Sequence, residues 1–263
     1  MKKNVILVPD VHGRDFWREL IPFIDECERV VFLGDYHDPY QHEGISNATS
    51  LNNFKEILSF AKEHQDKVVL LLGNHDLSYY NRTTDDSWDV GANRYDMQHQ
   101  EEVKSLFRDN NNLFAIIEMI ELPEIDRKFL LSHAGVHPQW INEAKALETI
   151  DPYNITNIYI KLTELFGQGS REFKSSLMHV GWSRGGFNKV GSMVWADCHE
   201  FFMEQTPFTQ VFGHTQQLKV VNNTYVPDEP YISGTNVCID CHQCFYIDEE
   251  GSIRNLKTDE IIY

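Results

Sequence analysis

The chain lacks a long apolar run. Its opening, MKKNVILVPDVHG, has a short basic end, but Pro9 and Asp10 cut the apolar stretch too short for a signal-peptide core or a membrane span. A cytoplasmic protein with no membrane partner is expected. A cysteine framework is lacking too: Cys27, Cys198, Cys238, Cys241 and Cys244 are five thiols in 263 residues, an odd number that reads as reduced. Basic residues are scarce. With 23 Lys plus Arg against 40 Asp plus Glu the formal charge is −17, which speaks against duplex nucleic acid as a partner, because phosphate contacts need clustered cations. A small anionic substrate stays open, since bound divalent cations invert the field at one site. Repeats, linkers and low-complexity tracts are missing, so one domain over residues 1–263 is expected.

What is present repeats. VILVPDVHG (5–13), VVFLGDYHD (30–38) and VVLLLGNHD (68–76) each join an apolar run to a small polar turn containing glycine. Runs this apolar suit central strands covered on both faces, and segments 14–27 and 46–64 between them have helix length and spacing. Ser46 and Thr49 precede a stripe of Leu51, Phe54, Ile57, Leu58 and Ala61, which marks a helix start. This is βαβ logic with a parallel sheet.

Beyond it, 78–112 reads as a polar, cap-like insertion with Asp85-Asp86 and one helix near 95–108. LFAIIEMIEL (113–122) and KFLLSHAGV (128–136) read as two strands that begin a second sheet. A helical insertion follows over about 139–192 and ends in the Gly-rich GWSRGGFNKVGS. TQVFGHT (209–215), NVCID (236–240) and CFYID (244–248) supply further strands, the last two as a hairpin.

Strand ends deliver oxygen and imidazole donors together: Asp10 and His12, Asp35, Asn74, His133 and His214. Carboxylate, amide oxygen and imidazole suit Mn, Fe, Zn or Mg rather than a thiolate metal. Asp10 and His12 alternate in an extended segment and so face one side. Asp35 can bridge two ions, and two ions ~3.5–4 Å apart activate water and polarise phosphoryl oxygens for in-line displacement. The leaving group then needs a proton. His75, beside Asn74, can supply it, with Asp38 orienting the imidazole.

The ordered series Asp10-Val11-His12, Gly34-Asp35-Tyr36-His37-Asp38, Gly73-Asn74-His75-Asp76, His133 after a strand, and Gly213-His214-Thr215 resembles the calcineurin-like metallophosphoesterase superfamily. That resemblance implies an α/β fold, a four-layer α/β/β/α sandwich with a dinuclear site at the carboxyl ends of the strands. It implies two divalent ions, manganese before the others, one held by Asp10, His12 and Asp35 and one by Asp35, Asn74, His133 and His214. It also implies hydrolysis of a phosphate ester with His75 and Asp38 as the acid dyad.

Ser132-His133-Ala134-Gly135 and Gly213-His214-Thr215 are most similar to the branch of Ser/Thr phosphoprotein phosphatases and diadenosine tetraphosphate hydrolases. Where that branch follows its second motif with Arg-Gly, this chain has Pro39-Tyr40, and Val136-His137-Pro138 follows its fourth motif. The first departure weighs against a phosphoprotein substrate and favours a small phosphate ester or a nucleotide-like molecule. A replacement guanidinium is sought in Trp182-Ser183-Arg184-Gly185-Gly186, where the branch carries a second phosphate-binding Arg. Arg184 is the first choice and Arg14 the second. A rival class is a non-catalytic, metal-stabilised binding module, against which an acid dyad argues.

Other residues have plainer readings. His37, His42, His137, His179 and His199 lack motif support, and Asp76 reads as a turn residue. Cys238, Cys241 and Cys244 read as small hydrophobes rather than a zinc site. Tyr79, Tyr80 and Trp88 on the insertion are candidates to face a substrate or merely solvent.

Overall fold

The structure, a computed structural model, describes residues 2–80, 94–222 and 224–263. Asp85, Asp86 and Trp88 of the polar insertion lie outside the described residues. Strands β1 (Lys3–Val8), β2 (Arg29–Phe32), β3 (Val68–Leu71) and β4 (Phe114–Ala115) are parallel neighbours in that order. β5 (Glu118–Leu122) pairs antiparallel with β6 (Arg127–Leu131), which pairs parallel with β7 (Thr209–Phe212). β8 (Leu218–Val221) and β9 (Thr224–Pro227) form a separate ribbon. β10 (Tyr231–Ser233) and β11 (Asn236–Cys238) complete the second sheet on β7. β12 (Phe245–Asp248) and β13 (Ile253–Asn255) return to the first sheet beside β1.

Strand alternation sorts the apolar side chains into layers. Val5, Leu7, Val31, Leu33 and Leu71 of the first sheet meet Ile120, Phe129, Leu131, Val211 and Val237 of the second in one buried cluster, so the sheets face each other. The alternate residues Ile6, Val8, Val30 and Phe32 point the other way, onto Leu51, Phe54, Ile57 and Leu58 of α1 (Asn47–Glu63). Ser46 caps α1 by accepting from Thr49 N–H at 3.1 Å, worth about 1 kcal/mol. α2 (Asn74–Tyr80) and α3 (Gln100–Asp109) pack together, and Val103 and Phe107 of α3 are buried in the same layer. α4 (Pro138–Glu143), α5 (Ile155–Gln168) and α6 (Arg171–Leu177) follow, and α5 lies against β5 and β6. The α/β/β/α layering expected from the sequence is therefore observed. Among the described residues no helix is long and apolar enough to cross a membrane.

Three local readings differ from the sequence expectation. Segment 14–27 forms a short 3-10 helix, Phe16–Phe23, instead of an α-helix, because Pro22 lacks the N–H and crowds the preceding turn. Residues 113–122 are two strands in different sheets, β4 and β5, with buried Ile116 and Ile117 carrying the chain across. A run apolar on both faces hides such a crossing from periodicity. Likewise 238–244 is no hairpin turn: β11 and β12 lie in opposite sheets.

Candidate metal centre

Asp10 and His12 follow β1, Asp35 follows β2, Asn74 and His75 follow β3, His133 follows β6 and His214 follows β7. All seven are buried at the carboxyl ends of strands, where open α/β sheets place their ligands. The backbone there is strained. His12, Asp35, Asp38 and His214 have φ of 45°, 54°, 57° and 67°, a region that costs non-glycine residues roughly 1–3 kcal/mol each. The surrounding structure must supply that energy.

At Asp35 a neighbouring carboxylate, Asp76, holds the backbone. Its Oδ2 accepts from Asp35 N–H at 2.6 Å and from Gly73 N–H at 2.9 Å, and its Oδ1 accepts from Tyr36 N–H at 3.1 Å. One buried carboxylate thus ties the β2 tip to the β3 tip. Behind it, Tyr36 stacks on Phe54 of α1 at 5.2 Å and donates to the Leu71 carbonyl at 2.7 Å, fixing the same tip to the core. Two glycines leave room for the carboxylates: a Cβ on Gly73 would lie 2.1 Å from Asp35 Oδ1, and one on Gly213 would lie 2.1 Å from Asp10 Oδ1.

The imidazoles are oriented by backbone carbonyls. Nδ1 of His12 lies 2.9 Å from the His37 carbonyl, and Nδ1 of His133 lies 2.8 Å from the Leu33 carbonyl. A carbonyl only accepts, so both Nδ1 atoms carry the proton and both Nε2 lone pairs are free for a metal. Nε2 of His133 is 3.0 Å from Asn74 Oδ1 and 3.1 Å from His214 Nδ1, and Nε2 of His12 is 3.3 Å from Asp35 Oδ2.

Among the described residues, two groups of ligand atoms that share Asp35 close to within 4.8 Å: Asp10, Asp35, His133 and His214 in one, and His12, Asp35 and His75 in the other. Asp35 belongs to both, as a bridging carboxylate must. Asp10 stands with the His133 and His214 group here, a closer association than the division implied by the resemblance.

Electrostatics prepare the donors. Burial lowers His12 and His214, the latter well below the ordinary value with help from Arg184 and His133, so both are neutral bases at pH 7. Burial raises Asp35, but His133, His75 and His12 outweigh it and hold this carboxyl well below the usual range. Burial also raises Asp10. Close contacts among acceptor atoms, with Nε2 of buried His214 left unpartnered, are what a cation would relieve. The donor set fits hard or borderline divalent ions.

The dyad stands on the rim. His75 Nδ1 is 2.8 Å from Asp38 Oδ2, and Tyr79 donates a short hydrogen bond to Asp38 Oδ1. His75 N–H donates to Asp35 Oδ1 at 3.0 Å, linking the dyad to the bridging carboxylate.

A cavity of about 190 Å³ opens over this array, lined by His12, Asp35, Asn74, His75 and His214 together with Tyr40, Arg94, Arg184 and Trp195. Arg184 reaches it, with Nη2 donating to Thr215 Oγ1 at 2.7 Å and Nε 3.0 Å from Asp197 Oδ2. Arg14 does not line it: Glu43 takes the guanidinium through Nε and Nη2 at 2.9 and 2.7 Å, and Nη1 donates to the Asp10 carbonyl. Sequence reasoning missed Arg94. Its guanidinium lies 3.5 Å over the Tyr40 ring centre, Nε donates to the Asp38 carbonyl at 3.1 Å, and Nη2 is 3.2 Å from His75 Nε2. No motif surrounds Arg94, and the neighbouring Pro39-Tyr40 departure was the one hint that a guanidinium had to come from elsewhere. The role of Asp76 was missed too, although its place directly after Asn74-His75 was a signal.

The remaining candidates are dispersed. His37 is buried between Ser50 and Asp96, His137 caps α4, and His42 is exposed. Tyr79 is buried and Tyr80 packs on Phe166. Cys238, Cys241 and Cys244 enter three different apolar clusters and do not converge.

The family model described as calcineurin-like phosphoesterase matches residues 3–218. Among solved structures, a metallophosphoesterase from Sphaerobacter thermophilus is similar with 11% sequence identity and a TM-score of 0.38, over 95% of this chain and 86% of that one. A search of curated proteins finds no match.

Proposed function

Because the chain belongs to the calcineurin-like phosphoesterase family and is thereby a phosphate-ester hydrolase, we propose that it uses two divalent ions, manganese first, to hydrolyse a small phosphate ester or nucleotide-like molecule. The observation that carries this reading is Asp35 set between Asp10, His133 and His214 on one side and His12 on the other, with the His75-Asp38 dyad bonded to its edge. Bound there, the ions would acidify a water molecule and polarise the phosphoryl oxygens. Asp10, His12, Asp35, Asn74, His133 and His214 hold them.

The chain's own residues do the rest. His75 gives a proton from Nε2 to the leaving oxygen while Asp38 receives the Nδ1 proton's hydrogen bond and fixes the ring. Arg94 and Arg184 flank the cavity and hold the phosphate with charge-assisted hydrogen bonds. Nη2 of Arg94 and a protonated Nε2 of His75 are both donors, so they cannot face each other; a phosphate oxygen between them gives both a partner. The cavity volume supports a small substrate, and the formal net charge of −17 supports one that is not a polynucleotide.

Metal analysis after reconstitution with Mn²⁺, with hydrolysis of an aryl phosphate, tests the reading. Two ions per chain and turnover lost in Asp35→Ala are expected. Fewer than one ion per chain, or undiminished turnover in that variant, would sink it. A panel of diadenosine tetraphosphate, a mononucleotide, a cyclic nucleotide and a phosphopeptide assigns the substrate, with the phosphopeptide expected to be poorest.

A further inference from the structure

Asp240 is completely buried, and among the described residues neither of its carboxylate oxygens has a hydrogen-bond partner. An uncompensated buried carboxylate is costly, and each such group calls for a specific cause. Its position supplies one. Cys238 of β11 is in parallel register with Phe212 of β7, Ile239 N–H donates to the Phe212 carbonyl at 2.8 Å, and Gln217 N–H donates to the Asp240 carbonyl at 2.7 Å. Because β7 and β11 are parallel neighbours, Asp240, two residues past β11, and His214, two residues past β7, leave the sheet at the same edge, where His214 N–H is held by Asp10 Oδ1 at 2.9 Å. Asp240 is therefore a strand-end carboxylate like Asp10 and Asp35.

The surrounding charge agrees. Burial first, then the charge of Asp10, pushes the Asp240 carboxyl well above the ordinary range, and Arg14 opposes this. Arg14 is no free counterion, because Glu43 occupies its guanidinium. Asp10 and Asp240 are thus two buried acids, both raised first by burial, whereas the histidines around Asp35 hold that carboxyl down. Asp240 also stands outside the two groups that close to within 4.8 Å, so it is set back from the ligand shell.

We propose that Asp240 is an outer carboxylate of the metal centre, whose charge would raise the affinity of the ion held with Asp10. This rests on the dinuclear reading above. Outer-shell carboxylates of this kind change metal affinity by about 10–100-fold when removed.

Asp240→Asn keeps the shape and removes the charge, and Asp240→Ser serves as a second variant should the first fold poorly. Calorimetric titration of the chelator-treated chain with Mn²⁺ is expected to show one ion weakened about 10–100-fold and the other unchanged. Thermal unfolding without metal is expected to show the variant as stable as wild type or more so, because the orphaned carboxylate is gone. Wild-type affinity for both ions, or a less stable metal-free variant, overturns the proposal. A wild-type chain that binds fewer than two ions overturns the dinuclear reading instead.

Discussion

Arg94 rests its guanidinium on the ring of Tyr40, 3.5 Å from the ring centre. In the motif comparison Pro39-Tyr40 stands against an expected Arg-Gly, so Pro39 occupies the arginine's place, and the Tyr40 ring next to it carries an arginine brought from a remote position. A planar, forked cation stacked this way is preorganised for a phosphate.

Removing that cation gives the first prediction. Arg94→Ala should cost about 1.5–3 kcal/mol of transition-state stabilisation, roughly 10–150-fold in kcat/KM, as expected for a lost charge-assisted hydrogen bond. Arg94→Lys should recover only part, because an ammonium does not stack or fork. Steady-state kinetics with an aryl phosphate decide it: an unchanged kcat/KM in Arg94→Ala removes the residue from the site.

The dyad predicts a leaving-group effect. His75→Ala should lower kcat by roughly 10²–10⁴ on an alkyl phosphate and much less on a nitrophenyl phosphate, whose leaving oxygen needs no proton. Asp38→Asn should show the same pattern with smaller size, with bound metal unchanged in both. Equal losses on the two substrates would assign His75 to binding.

Gly73 predicts a steric effect. The Cβ of Gly73→Ala would fall 2.1 Å from Asp35 Oδ1, so the bridging carboxylate must move. Metal content and activity should fall together while far-ultraviolet dichroism stays close to wild type. Retention of both ions at full occupancy would count against a bridging Asp35.

Asp96 predicts an acid limb in stability. Its Oδ2 lies 2.7 Å from His99 Nδ1 and 3.1 Å from His37 Nε2. Burial raises this carboxyl, but the hydrogen bonds from His99 and then His37 outweigh it and bring it down from 3.8 to about 2. A depressed acid stabilises the fold above its unfolded pKa, and that stability is lost as pH falls from about 4 to about 2. The difference amounts to about 2 kcal/mol. Asp96→Asn should therefore lose about that much at pH 7 and flatten the decline below pH 4, as read by urea unfolding of metal-free protein. An unaltered acid limb would refute the assignment.

The sequence disclosed some of this and hid the rest for physical reasons. The metal donors were legible because each ends an apolar strand at a small polar turn, a local signal. Ser46 and the α1 stripe were legible for the same reason. The split of 113–122 between two sheets was not, because Ile116 and Ile117 are as apolar as the strands they join. Arg94 was invisible because it reaches the site through tertiary placement, and no neighbour in sequence marks it. Asp76 reads as a turn residue in the sequence but lies in the first turn of α2, and its three amide partners come from the tips of β2 and β3.

Those three hydrogen bonds set how the chain handles its ions. Asp76 clamps the two loops and carbonyls aim His12 and His133 through contacts made by the protein alone. Chelation should therefore silence the protein without unfolding it. Swapping one divalent ion for another should proceed by simple equilibration, with the cell's free-metal supply deciding which enzyme the chain becomes.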